Sequence, residues 1–273
     1  GGCVDLSFAR DPNGQTYIQK QFTTYPFHVC RPLYIDKFDP NIATLYLQSC
    51  SGGIFENDKL HINLIGAKDS QVHVTTQAST IVHQMETGTA HQTIKITGEK
   101  GALIEYIPNN NILFPEAKLC ASTEIIRDHD CHVLVSDSFF SYDPDNQGGV
   151  FDQVDNELII KQPNGKIDFT DRFSISGTSF KTGETPLSNN YKIHGTYALL
   201  TDCLKQAQFI KKTRSLIEKA HNIYAGVSHL PNDSGCWVRY LAIDGTSAAT
   251  FLTSIWMISR EIITGNAPNI RRK

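Results

Sequence analysis

The chain has 273 residues, with 25 Lys and Arg against 28 Asp and Glu, and a formal net charge of −3. This balance provides no strong field for binding nucleic acid or an anionic membrane. No apolar run approaches the ~20 residues of a membrane span, and residues 1–10 lack the basic and apolar regions of a signal peptide, so we expect a soluble cytoplasmic protein. Seven cysteines are scattered without a C-x-x-C pair, which argues against a disulfide framework or a zinc knuckle.

The first distinctive segment is CSGGIFENDKL, residues 50–60, which holds two glycines and two carboxylates. A phosphate-binding loop needs converging backbone N–H groups and a following helix, whereas an alternating strand pattern follows here. We therefore predict a glycine turn, in which Gly52 and Gly53 supply positive φ or a close backbone approach. Asp58 can bond backbone donors in this turn, and we expect the turn to direct it toward the protein's interior.

Four segments that begin about 30 residues apart share one pattern. They are residues 60–77, 92–108, 123–137 and 157–171. In each segment apolar and polar residues alternate, as at Ile62 and Leu64, then a polar turn leads into a second run of the same kind. A single hairpin cannot bury its apolar face alone. We therefore predict a mainly β fold of stacked β-hairpins in a solenoid-like or sandwich-like body.

The third of these turns contains the densest group of potential metal ligands, in RDHDCHV at residues 127–133. Neutral imidazole and thiolate suit nickel, copper or zinc. In alternating strand geometry His129 and Cys131 share one face while His132 takes the other, so at most two ligands converge locally. The alternative is an exposed turn with Cys131 tucked inward.

The pattern changes after about residue 196. Thr201-Asp202 offers an N-cap for a helix over residues 203–222, two strand candidates follow, and a second helix opens at Thr246 and ends at Gly265. We predict a single domain over residues 1–273. Its β body covers about residues 1–196 and its C-terminal part, about residues 197–265, contains two α-helices.

Motifs of catalysis are missing from the sequence. It contains neither G-x-S-x-G, nor a nucleotide-binding glycine motif, nor a Cys–His pair that chain order alone can identify. From its residues, the chain is therefore not predicted to be an enzyme.

Three short motifs in chain order resemble the UreD family of urease accessory proteins, called UreH in some bacteria. The first is G-G-x-x-x-x-D-x-L, with Gly52, Gly53 and Asp58; the second is T-T-Q-A-S-T at residues 75–80; the third is P-x-x-x-I-L-F from Pro108. The resemblance spans nearly the whole chain. It implies a stacked β body with a few helices, in which Gly52, Gly53 and Pro108 are structural loop positions.

The resemblance also implies a non-enzymatic chaperone that delivers nickel to apo-urease, together with a helical UreF-like protein and a UreG-like GTPase. The metal would pass through a water-filled tunnel inside the β body and stay weakly bound or absent in the isolated protein. Such a conduit needs serial, weak ligands. Asp58 with Glu56 beside it would supply hard oxygen ligands, and His129 with Cys131 softer ones, the alternative for Asp58 being a purely turn-stabilising role.

The sequence departs from the family pattern at Glu56-Asn57, where further glycines are usual, at Asn110 or Asn111, where a Glu is common, and in residues 141–151. Residues 141–151 lack the arginines and the glutamate of the G-R-x-x-R-G-E-x-F motif expected there. Two alternatives therefore stand beside the nickel-delivery hypothesis. One is a repurposed UreD-like scaffold that acts as an enzyme or small-ligand binder outside the urease pathway, and the other is a structural adaptor that holds partners without touching metal.

Overall fold

The alternating segments form the strands of two facing sheets. The computed structural model describes residues 1–181 and 191–269. The described strands, in chain order, are β1 (Gly2–Arg10), β2 (Thr16–Thr23), β3 (Phe27–Val29), β4 (Ala43–Ser49), β5 (Lys59–Gly66), β6 (Gln71–Thr76), β7 (Thr80–Val82), β8 (Ala90–Gly98), β9 (Leu103–Tyr106), β10 (Asn111–Leu113), β11 (Lys118–Arg127), β12 (His132–Ser141), β13 (Gln153–Lys161), β14 (Ile167–Ser176), β15 (Ile193–Leu200), β16 (Ile223–His229) and β17 (Cys236–Ala242). The chain is mainly β, as the sequence predicts.

Successive coils of the chain contribute one strand to each sheet. Sheet A has the order β14-β13-β11-β8-β5-β1-β2, and sheet B has the order β16-β17-β15-β12-β9-β6-β4-β3 with β7 and β10 beside it. The central strands of both sheets are parallel, β5 to β8 to β11 in sheet A and β6 to β9 to β12 in sheet B. Each coil therefore stacks on the previous one, and the predicted solenoid-like body is confirmed.

The strand pairing within the coils differs from the predicted hairpins. In residues 60–77, for example, β5 belongs to sheet A and β6 to sheet B, so the polar turn is a corner between sheets. The segments from residues 92 and 123 behave in the same way, and only the segment from residue 157 is an antiparallel hairpin, β13 with β14. Alternation has the same period in a hairpin and in a solenoid corner, which is why the pattern did not distinguish them.

Two apolar layers hold the elements together. Between the sheets, buried side chains such as Val4, Ile62 and Ile104 form one core. The opposite face of sheet B packs against helices through a second core, which includes Tyr197, Phe209 and Phe251. Sheet B is therefore buried on both faces, and the space between the sheets, here called the interior, is bounded by sheet A and sheet B.

The helices are α1 (Gly177–Lys181), α2 (Cys203–Glu218) and α3 (Gly245–Thr264). The predicted N-cap of α2 is confirmed, because the Asp202 side chain accepts a hydrogen bond from the Lys205 backbone amide. Gly265 ends α3 in the left-handed conformation with φ of 86°, also as predicted. The division of the chain into one domain stays a prediction. None of the helices in residues 1–181 and 191–269 combines the length and hydrophobicity that a membrane crossing requires.

Candidate functional site: the polar end of the interior

The interior is apolar along much of its length but polar near the first residues of β5 and β8. A cavity of ≈ 270 Å³, here called the polar pocket, lies between the sheets at this end. Its polar lining includes Thr76, Gln92, Thr123 and Asp137. This volume and this lining suit several ordered waters, since a buried water needs a cavity with a few polar partners.

Asp137 on β12 is the acidic group of the polar pocket. Asn156 on β13 donates a side-chain amide hydrogen bond to its carboxylate. Burial raises the pKa of Asp137 to about 6, although this bond and one from the Ser138 backbone amide favour the charged form. The carboxylate therefore titrates close to neutral pH.

The chemistry of the polar pocket is that of a weak cation site. One carboxylate with amide and hydroxyl oxygens around it offers oxygen donors without a closed coordination set. A bound cation would compete with a proton for Asp137, because the two occupy the same oxygens.

Asp137 was not among the sequence-predicted ligands, although the sequence contains a signal for it. Val133, Val135, Asp137 and Phe139 share one side of β12, and the other three are buried apolar side chains. A carboxylate in the middle of an inward-facing apolar row is costly unless it has partners or a function.

A second buried charged cluster lies on the other face of sheet B. Arg260 on α3 donates to Glu105 on β9 from Nε and Nη2, each at 2.5 Å, and to Asp36 from Nη1 at 2.8 Å. Glu105 also accepts from the Trp256 indole and from His73 Nδ1, both at 2.8 Å. Burial raises the pKa of Glu105, but Arg260 and His73 outweigh it and lower the pKa to about 2.

The Glu105–Arg260 cluster holds the helix layer onto the sheet. Every oxygen of Glu105 has a donor, so the charge is compensated where it is buried. Asp36 also accepts from the Asn269 backbone amide at 2.5 Å, which fixes the segment after α3 against the loop before β4. The cluster has the features of a structural clamp.

The double-glycine loop forms the predicted turn. Gly53 has φ of 145°, and a Cβ at this position would lie 2.3 Å from the Ile81 carbonyl oxygen. Gly52 has more room, because a Cβ added there would have the Phe55 ring as its nearest neighbour, at 3.8 Å. The close backbone approach that the sequence predicts is therefore needed at Gly53 and not at Gly52.

The carboxylates of this loop bind backbone amides. Asp58 accepts from the Phe55 amide at 2.9 Å within the turn itself, so it does not face the interior as expected. Glu56 accepts from the Thr87 amide at 2.9 Å and from the Gly88 amide in the next coil. These bonds lower the pKa of Glu56, the Gly88 amide having the largest effect. Both side chains support the turns that they join.

His129 and Cys131 lie on opposite sides of the corner between β11 and β12, and not on one face as expected. The His129 side chain is 92% exposed and contacts Asp130. The Cys131 thiol is buried against Gly98, and burial raises its pKa to about 12. His132 bonds Thr201 Oγ1 at 2.9 Å, and burial lowers its pKa to about 4.

The predicted ligands are also separated along the sheet. Glu56 and Asp58 precede β5, whereas His129 and Cys131 follow β11, and these strands run parallel through β8. The two sets therefore lie at opposite ends of sheet A, roughly 25 Å apart for strands of this length. Across residues 1–181 and 191–269, no group of three or more His, Cys, Asp or Glu side chains is arranged to hold a metal ion.

Pro108, the third predicted loop position, lines the polar pocket. The next residue, Asn109, bonds Thr76 through its backbone and side-chain nitrogens, at 2.9 Å from the backbone amide to Thr76 Oγ1. The P-x-x-x-I-L-F segment therefore closes one wall of the pocket, and its residues from 111 to 113 continue as β10.

Comparison with known proteins places these features in a family context. A profile described as "UreD urease accessory protein" matches residues 1–273. The chain is 34% identical to urease accessory protein UreD 1 of Pseudomonas syringae pv. syringae over 268 residues, which cover 98% of this chain and 94% of the relative. It is 33% identical to UreD 1 of Methylorubrum extorquens, covering 99% and 91%, and 29% identical to UreD 3 of a Bradyrhizobium species, covering 100% and 96%.

Proposed function

Because the chain belongs to the UreD family of urease accessory proteins, with a role in urease maturation, we propose that it delivers nickel to apo-urease in the cytoplasm. In this proposal it acts in complex with a helical UreF-like protein and a UreG-like GTPase. Membership of a family of accessory proteins agrees with the expectation that the chain has no reaction of its own.

The polar pocket is the observation that carries the nickel part of the proposal. Apolar residues would fill this space if the interior served packing alone, whereas it contains a cavity of ≈ 270 Å³ and the Asp137 carboxylate. A carboxylate that titrates near neutral pH attracts a divalent cation without holding it tightly. These properties suit a metal in transit.

In this proposal the nickel passes through the interior of the β body, and the residues that serve this passage differ from those that the motifs indicate. Asp137, with Asn156 beside it, takes the interior position that the sequence assigned to Asp58. Glu56, Asp58 and His129 at the surface, and the buried Cys131, stay candidate ligands. Nickel-binding measurements on Asp58→Ala and His129→Ala test them directly.

The proposal is tested by deletion and by complex formation in the native host. Deletion of the gene is expected to abolish urease activation, and a tagged chain is expected to co-purify with apo-urease and with the helical and GTPase partners. Unchanged urease activity together with no complex would overturn the proposal. A complex that forms normally while urease acquires nickel at the normal rate in an Asp137→Asn strain would leave the adaptor hypothesis as the better account.

A further inference from the structure

A band of potential metal ligands crosses the outer face of sheet A, away from the interior. It consists of Cys3, His61, His91, Cys120 and Asp155, which lie on β1, β5, β8, β11 and β13 respectively. These strands are consecutive neighbours in the sheet. The five residues are far apart in sequence, and only the stacking of the coils brings them into one band, here called the outer band.

Strand register divides the outer band into two groups of direct neighbours, which are offset by two residues where β5 meets β8. His91 is the partner of Cys120, and Cys120 is the partner of Asp155. Cys3 is likewise the partner of His61. Partner residues on adjacent strands are about 4.8 Å apart and project to the same face. Cys120 therefore has an imidazole on one side and a carboxylate on the other.

The alternate residues of these strands confirm which face the band occupies. Leu119 and Ala121, which flank Cys120, are buried between the sheets, as are Ala90 beside His91 and Val154 beside Asp155. Because successive strand residues point to opposite faces, the band faces solvent. His61 and His91 are exposed, and the other members are partly exposed.

Side chains on this face reach their neighbours. Lys95 Nζ lies 3.5 Å from Glu124 Oε1, between partner positions on β8 and β11. Lys161 also pairs with Glu124, although it is diagonal to it across β11 and β13. His91 and Asp155 have shorter side chains, but each is the direct register partner of Cys120, about 4.8 Å away, so both can turn toward its thiol by rotation about their own bonds.

Two members of the outer band contact a neighbour on their own strand. Asp155 Oδ1 accepts from Gln153 Nε2 at 2.8 Å, and Cys3 Sγ lies 3.4 Å from Asp5 Oδ2. Burial raises the pKa of the Cys120 thiol, and the carboxylates of Asp155 and Glu157 raise it further. The thiol is therefore protonated, and its proton passes to buffer when a metal–sulfur bond forms.

We propose that His91, Cys120 and Asp155 form a surface site for a borderline divalent transition metal, of the class of Ni²⁺ and Co²⁺, which closes by side-chain rotation. One thiolate, one imidazole and one carboxylate are a ligand set that such ions accept. Metal binding must release the Cys120 thiol proton and break the hydrogen bond from Gln153 to Asp155. Both costs oppose binding, so we expect the metal to bind reversibly. His61 and Cys3, on the next two strands β5 and β1, provide a second pair of ligands on the same face. The proposed function enters only in the choice of nickel as cargo.

The test is titration of the full-length reduced protein with Co²⁺. Binding is monitored through the thiolate-to-metal charge-transfer absorption in the near ultraviolet. The wild type is expected to develop this absorption and Cys120→Ser to lack it. His91→Ala is expected to need about tenfold more Co²⁺ to reach half of the full absorption. Cys203→Ser and His28→Ala, which change exposed residues elsewhere, are matched controls and are expected to titrate like the wild type. Competition by Ni²⁺ extends the measurement to the proposed cargo.

Either of two results overturns the surface site: no charge-transfer band in the wild type with excess Co²⁺, or a band that survives Cys120→Ser. Thermal unfolding of each variant shows that it is folded, and both changed side chains face solvent. The surface site and the proposed function fail separately. If the charge-transfer absorption is absent but deletion of the gene still abolishes urease activation, only the surface site is rejected. If the absorption is present but deletion has no effect on urease activation, only nickel delivery is rejected.

Discussion

Asn156 of sheet A donates a hydrogen bond across the interior to the carboxylate of Asp137 in sheet B. The contact joins the two sheets at the polar pocket, where apolar packing is interrupted. It keeps a partly buried carboxylate partnered with a neutral amide, so the negative charge remains available to a cation. This pair is the centre of the proposed passage.

Replacement of Asp137 by Asn is expected to slow urease activation while the protein stays folded. The change removes the charge but keeps the size of the side chain, and loss of about 1.4 kcal/mol of cation attraction corresponds to roughly tenfold. Urease activity and nickel content are measured after co-expression of each variant with the urease genes. Asp145→Asn, in an exposed loop, is the control. Equal activation by Asp137→Asn and the control would remove Asp137 from the mechanism.

The same variant is expected to change how stability depends on pH. The pKa of Asp137 is raised from 3.8 to about 6, so its stabilising contribution is complete at low pH and is lost as pH rises through about 6. Asp137→Asn should therefore gain stability relative to the wild type between about pH 4 and pH 6.5, by at most about 3 kcal/mol.

Urea unfolding at several pH values measures this gain. Glu105, whose pKa is lowered to about 2, contributes in the opposite direction, with stability lost as pH falls, but it is present in both proteins and cancels in the difference. A stability difference that stays constant across this range would show that Asp137 has an ordinary pKa.

Loss of Arg260 is expected to be strongly destabilising. Arg260→Met leaves Glu105 and Asp36 without their buried cation, a change that costs about 3–5 kcal/mol in comparable sites. Lys212→Met removes the partner of Glu261 from an exposed pair, 46% and 49% exposed, and should cost about 1 kcal/mol or less. Urea unfolding of the two variants compares them, and similar losses would contradict the role of Arg260 as a clamp.

The two glycines of the turn are expected to respond differently to alanine. Gly53→Ala forces a Cβ toward the Ile81 carbonyl oxygen at φ of 145°, so we expect a loss of about 1–3 kcal/mol. Gly52→Ala meets only ordinary contacts, and its effect should stay within about 0.5 kcal/mol. Thermal unfolding of both variants tests this difference. If Gly52→Ala lost as much stability as Gly53→Ala, the close backbone approach would not be specific to Gly53.

Local features were the most predictable from sequence. Asp202 and Gly265 were predicted at the ends of helices because a cap depends on residues within one turn of it. The placement of the candidate metal ligands was harder to predict. His129 and Cys131 are two positions apart in a turn, but the backbone there leaves the strand conformation, so the alternation rule does not apply and the side chains diverge.

The β alternation, the helix caps and the family follow from the sequence alone, because each is written in neighbouring residues or in motifs of fixed spacing. The three-dimensional structure was needed to show that the first three paired segments turn corners instead of folding back, and that Asp137 meets Asn156. It was also needed to show that Cys120 lies between His91 and Asp155. The cause is register: which residues of distant coils become neighbours depends on how the coils stack, and alternation with a period of two is the same in every stacking.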